Sequence, residues 1–211
     1  MTSRELVYRT LEFENRRGRA PRQMWTLPWA EWNHGNMIAK IRREYPDDIT
    51  GAPGILRERS IESGDPYRKG VSRDAWGCMV TNFHEGIIGE VREPLVRGDE
   101  WEDAELVHIP REWLTFDREQ VNAFCRNTDR FVLSGCCPQP FEQLQFIRKT
   151  ENLYMDLMDI PDGMKRFLRR MHAFYCELLE EWAKTEVDAL NFMDDWGSQR
   201  SLLIRPDLWR E

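Results

Sequence analysis

The chain has 211 residues, 37 acidic against 30 basic side chains and a net charge of -7, with 41% hydrophobic and 32% charged residues. No apolar run approaches the roughly 18 residues that a membrane span needs, and Met1-Thr-Ser-Arg-Glu-Leu-Val-Tyr-Arg9 has no signal-type apolar core, which points to a cytoplasmic address. The acidic balance and scattered Arg16-Arg17, Arg42-Arg43 and Arg169-Arg170 pairs argue against nucleic acid as a partner, and five cysteines without a Cys-x-x-Cys pair suit reduced thiols.

In chain order, a helix is expected from Thr2 to about Glu14, opened by the Thr2 and Glu5 capping-box pattern, with Leu6, Thr10 and Phe13 on one stripe. Residues 21–27 form an expected strand closed by Pro28, and a helix follows over 33–45 until Pro46 ends it. The Pro-, Gly- and charge-rich stretch 47–70 is expected to be irregular. Two strand-like runs, 75–81 and 86–91, flank a glycine-containing turn, which is hairpin spacing and marks an insertion after a core strand.

The second half is more regular. A helix over 117–127 starts at an Asp cap, 131–135 is a buried-type strand, and 141–149 begins another helix. Over 161–185, Met164, Phe167, Leu168, Met171, Tyr175, Leu178, Leu179 and Trp182 recur at the 3.6-residue period of a helix with one apolar face. A strand over 189–193 completes a strand-helix-strand succession, which implies a parallel sheet with helices outside. The fold class expected is α/β, the N-terminal part of a (β/α)8 barrel carrying a hairpin insertion. Residues 1–211 are taken as one partial barrel domain, since a whole barrel needs roughly 250 residues and a part would be marginally folded with its sheet edges open.

The closing stretch says most about function. An apolar strand runs into Asp194, Asp195, Trp196 and Gly197, then a polar loop with Gln199 and Arg200, then a helix start at Pro206. Barrel enzymes carry catalytic groups at that end of a strand. The Asp-x-Trp-Gly pattern occurs twice, as Asp74-Ala-Trp-Gly77 and Asp194-Asp-Trp-Gly197, an echo or chance; Asp74, Asp194 and Asp195, placed at strand ends, are the candidate catalytic residues. Trp25, Trp76, Trp196, Gln199 and His34 are the candidate substrate-lining residues, with no metal ligand assigned. Capping of the loop or pairing with Arg200 is the other reading of Asp194 and Asp195. Cys136-Cys137 reads as small core residues, because adjacent side chains on a strand point to opposite sides. His172 reads as a surface residue on the long helix, while His84 in the hairpin turn ranks below His34.

The order of helix, strand near residue 24, Asp74 with its hairpin and Glu93-Pro-Leu95, the Ser134-Gly-Cys-Cys-Pro138 turn, and Met193-Asp-Asp-Trp-Gly-Ser-Gln199 with Ile204-Arg-Pro-Asp-Leu-Trp209 resembles the uroporphyrinogen decarboxylase superfamily. That resemblance implies a TIM barrel, either the haem-pathway decarboxylase or a corrinoid-dependent methyltransferase, and covers the N-terminal part of such a fold. It implies that Asp74 accepts hydrogen bonds from pyrrole N–H groups in a decarboxylase, a task for an acceptor-only carboxylate. It implies for a methyltransferase a zinc held by His-x-Cys and a distant Cys, together with a corrinoid and its carrier protein; this chain contains no His-x-Cys. Trp25-Thr-Leu-Pro-Trp-Ala-Glu-Trp32 lacks the arginines that would grip an acidic porphyrinogen, Arg22 falls at the wrong end of the strand, and 138–146 lacks a tyrosine. The expectation is therefore a methyltransferase- or demethylase-type enzyme acting on a corrinoid or small methylated substrate, with a homodimer as the expected assembly. A uroporphyrinogen decarboxylase and a non-catalytic remnant are the alternatives.

Overall fold

The computed structural model describes residues 1–16 and 18–210. Helix α1 (Ser3–Leu11) forms as the capping pattern dictates: Thr2 Oγ1 accepts from the Glu5 amide, and the Glu5 carboxylate accepts from the Thr2 amide. Its buried Leu6 and Val7 face the parallel strands β1 (Ile49–Gly51) and β5 (Phe131–Leu133), and Tyr8 meets Phe131 edge-on. Strand β1 lies inside the stretch expected to be irregular. Three residues between charged and Pro-Gly segments are too few to show an alternating pattern.

Residues 21–27 do not form the expected strand. The Arg22 and Met24 amides donate to the carboxylates of Asp48 and Asp47 instead of to a ladder; the Arg22 carbonyl accepts from the Asp48 amide, and the Leu27 carbonyl from Ala30 and Glu31 at the start of the next helix. The segment is docked at the start of β1 by side chains. Helix α2 (Pro28–Glu44) begins five residues earlier than expected, because Pro28 sits at its first position, where a missing N–H costs nothing. The helix is bent at His34, whose φ of -134° and ψ of 24° are not helical. Its first turn rests on Gly86: a Cβ there would lie 2.3 Å from Trp29 Cα, and the Gly86 φ of +84° also favours glycine.

The insertion is a three-stranded antiparallel sheet of β2 (Gly70–Arg73), β3 (Met79–Asn82) and β4 (Glu90–Val91). Residues 75–77, expected within a strand, make the turn between β2 and β3, and β4 begins later than expected. Two 3-10 turns, Glu102–Leu106 and Arg111–Thr115, lead to α3 (Arg118–Arg126), which Asp117 caps by accepting from the Glu119 and Gln120 amides.

After β5 come α4 (Pro140–Arg148), α5 (Thr150–Asp156) and the long α6 (Asp162–Ala183). The apolar stripe read from the sequence is buried at Met164, Phe167, Met171, Tyr175, Leu178 and Trp182. It packs on Trp76, Trp101, Trp113 and Phe116, each large side chain contributing roughly 1.5–3 kcal/mol through burial. Residues 189–193 contribute a single parallel pairing, Ala189 with Leu133. Beyond it the Asn191 amide turns to Ser134 Oγ and the Met193 amide to the Pro138 carbonyl, so the ladder stops while the chain still follows β5. Helix α7 (Pro206–Arg210) starts where Pro206 was expected to start one.

The architecture is therefore mixed α/β with small sheets: β1, β5 and Ala189 in parallel order, and the antiparallel insertion between β1 and β5. No closed barrel is formed among the described residues. Nor is any of their helices long and apolar enough to cross a membrane.

Candidate functional site

Helix α4 organises the site. Pro140 supplies its first position without an N–H, which leaves the next amides, Phe141 and Glu142, as the donors that need a partner. Asp194 provides it, its Oδ2 accepting from Phe141 at 2.5 Å and its Oδ1 from Glu142 at 2.9 Å. A carboxylate at the positive end of a helix is favourably placed. Burial nevertheless raises the Asp194 pKa above its ordinary value, outweighing these amides, with the Asp195 charge adding to the rise. Glu142 is raised in the same way, first by burial and then by Asp194 and Asp195.

Asp74 reaches α4 from the insertion. It follows β2, and its Oδ1 accepts from the Trp76 amide at 3.0 Å and the Cys78 amide at 2.7 Å, closing the turn into β3. Its other oxygen accepts from Gln143 Nε2 on α4 at 3.0 Å, and the same nitrogen lies 3.7 Å from Cys78 Sγ. Cys78 is fully buried, and burial, then the Asp74 charge, push its thiol far above the usual range. Tyr175 on α6 completes the group. Burial raises its hydroxyl strongly, and the charges of Asp194 and then Asp74 act in the same direction, so it is a neutral phenol at physiological pH.

Asp74 and Asp194, far apart in sequence, are thus gathered around the first turn of α4, beyond the C-terminal end of β5. Asp195 stands exposed beside them, and no Lys or Arg among the described residues lies within ion-pair distance of the three, Arg200 included. Asp194 caps α4 and not the loop that follows it, and each half-buried carboxylate, Asp74 and Asp194, accepts from two backbone amides.

Other sequence candidates lie elsewhere. Trp76 is 1% exposed and packs on Phe167, Phe174 and Tyr175, so it supports Tyr175 from the core and does not line an open face. Trp25 is 76% exposed in the segment before α2, and exposed His34 sits at the α2 bend against Trp29, their ring centroids 5.6 Å apart. Gln199 is exposed in the turn that Gly197 and Leu202 close. Trp196 does join the site: it stacks on Phe141 at 4.6 Å and 16°.

Sequence reasoning missed Gln143, Cys78 and Tyr175. Tyr175 was visible only as part of an apolar stripe. The Arg19 guanidinium and the Arg22 backbone amide bond to Asp48 at the start of β1, the end opposite the Gly51–Gly54 turn. Among the described residues no three His, Cys, Asp or Glu side chains converge as metal ligands.

Comparison with family models, with curated proteins and with solved structures returns no match for this chain.

Proposed function

We propose that this chain is the strand-and-helix part of a cytoplasmic barrel enzyme resembling the uroporphyrinogen decarboxylase superfamily, of methyltransferase or demethylase type, acting on a corrinoid or small methylated substrate. The observation that carries the reading is the Asp74–Gln143–Tyr175–Asp194 group at the C-terminal side of parallel strands, where barrel enzymes assemble their sites. A bound corrinoid would supply the cobalt that takes up or gives the methyl group. For its part the chain offers a neutral phenol as donor, an amide fixed by Asp74, and a half-buried carboxyl whose pKa burial raises above its ordinary value.

The absence of arginines near this group supports methyl transfer over porphyrinogen binding, since an acidic substrate needs bidentate cationic partners.

The test is methyl transfer from a panel of methoxylated aromatics and methylated thiols to reduced cobalamin, followed by absorbance, with uroporphyrinogen assayed in parallel. Transfer without coproporphyrinogen formation is expected, and Asp74→Asn and Asp194→Asn are each expected to lower kcat/KM by about 100-fold, the scale of a lost transition-state contact. Tyr175→Phe should lower kcat more than it raises KM. Coproporphyrinogen formation would transfer the assignment to the lyase, and silence in both assays would reject the enzymatic reading.

A further inference from the structure

Beyond the C-terminal ends of β1 and β5, between Gly54 and the Gly135-Cys136-Cys137 turn, lies a cavity of about 320 Å³. That volume is at the lower end of small-molecule pockets, about 300–1,000 Å³. Gly135 is required there: a Cβ would lie 2.7 Å from both the Ala52 carbonyl oxygen and Trp182 Cη2. Leu56, Trp113, Phe116, Leu178 and Trp182 make the walls, and Phe116 and Trp182 are stacked at 4.1 Å and 8°. Its described lining has one carboxylate, exposed Glu62, and no Lys or Arg, so an anionic ligand has no partner.

Cys136 and Cys137 both line this cavity, and both are free and half-buried. Both cysteines follow β5, which ends at Leu133, so they lie in the turn after the strand and not in its alternating ladder. Ser134 Oγ lies 3.6 Å from Cys136 Sγ and anchors that side of the pair. Two adjacent thiols beside an aromatic wall are suited to one soft centre with an apolar arm.

We propose that Cys136 and Cys137 form a binding site for a trivalent thiophilic centre carrying a flat apolar substituent, the chemical type of an aryl arsenical, with the aryl group against the Phe116–Trp182 wall. Two As–O bonds of the hydrated aryl arsenical break as two As–S bonds form. Each thiol proton leaves with a departing hydroxide as water, and no electrons are exchanged. Burial raises Cys136 to about 11 and Cys137 also upward, so the thiols enter this exchange in their protonated form. The site needs only binding and stands apart from the enzymatic reading above.

The experiment titrates the protein, kept reduced by a phosphine, with phenylarsine oxide and with arsenite, following intact mass and tryptophan fluorescence. One phenylarsenic per chain is expected, with arsenite at least about 10-fold weaker for want of an apolar arm. After unfolding and alkylation, Cys78, Cys125 and Cys176 should carry the alkyl label while Cys136 and Cys137 do not. Cys136→Ser or Cys137→Ser should weaken binding by about 100-fold, because the second As–S bond forms intramolecularly, whereas Cys176→Ser should leave it unchanged. Arsenic mapped to other cysteines, arsenite binding as tightly as phenylarsine oxide, or either serine variant at pocket level binding like the parent would overturn the proposal. The mapping uses the unaltered chain and decides the matter even where a variant fails to fold.

Discussion

Asp48 shows how one residue can hold together parts of the chain that the sequence keeps separate. Its buried carboxylate accepts from Ser3 Oγ at 2.6 Å, from the Arg22 amide at 2.8 Å and from Arg19 at 2.5 and 2.7 Å, joining α1, the 19–24 segment and β1. The Arg19 guanidinium is the main reason its pKa falls well below the ordinary carboxylate value, against the opposing effect of burial. A lowered folded-state pKa means that the unfolded chain binds the proton first. The stabilisation is therefore present above the ordinary value of 3.8 and is lost as pH falls from there toward the folded value. Asp48→Asn should lower stability at pH 7 by about 2 kcal/mol or more, a moderate figure because Arg19 is partly solvated. It should also flatten the loss between pH 4 and pH 2 in urea titrations. An unchanged acid slope in the variant would refute the assignment.

At the scale of elements, Asp194 separates a structural from a chemical role. Asp194→Ala leaves the Phe141 and Glu142 amides without their acceptor and should destabilise the chain by about 1–2 kcal/mol, whereas Asp194→Asn retains one acceptor oxygen and should lose less. The raised folded pKa has the opposite sign to that of Asp48. The folded state keeps its proton longer, so this group's contribution weakens as pH rises from 3.8 through the folded value, and the Asn variant should lack that trend in the same titration. Equal stability of the Ala variant and the parent would dismiss the cap. Local signals made several elements legible: the Thr2–Glu5 box, the Asp117 cap, the α6 stripe and Pro206 each act within a few residues. The Asp194 cap on α4 joins residues 53 apart, and β1 is stabilised by pairing with a strand 82 positions later, so neither leaves a local pattern. Asp194 stands out in the sequence at the end of an apolar run and Asp74 through the Asp-x-Trp-Gly pattern it shares, but Gln143, which bonds Asp74 across 69 residues, leaves no local signal.

Across the whole molecule, the parallel strands are flanked on one side by the 19–24 segment, held by side chains, and on the other by residues 188–193. Asp188 and Ala189 amides bond to Val132, and the Met193 amide to Pro138, so this stretch uses its inner side on β5. The other side carries apolar groups into solvent: Phe192 is 69% exposed and Met193 56%. An extended segment with unpaired backbone and exposed large apolar side chains is a template for pairing with another chain. The expected outcome is concentration-dependent association of this chain through 188–193, seen as a rising weight-average mass in sedimentation or light scattering. Phe192→Lys adds a charge on that edge without touching the buried core, so it should shift the chain toward monomer while leaving the thermal midpoint within a few degrees. If the parent stays monomeric at high concentration, or the lysine variant associates as strongly, the edge is not the contact surface and the apolar side chains there are covered in some other way.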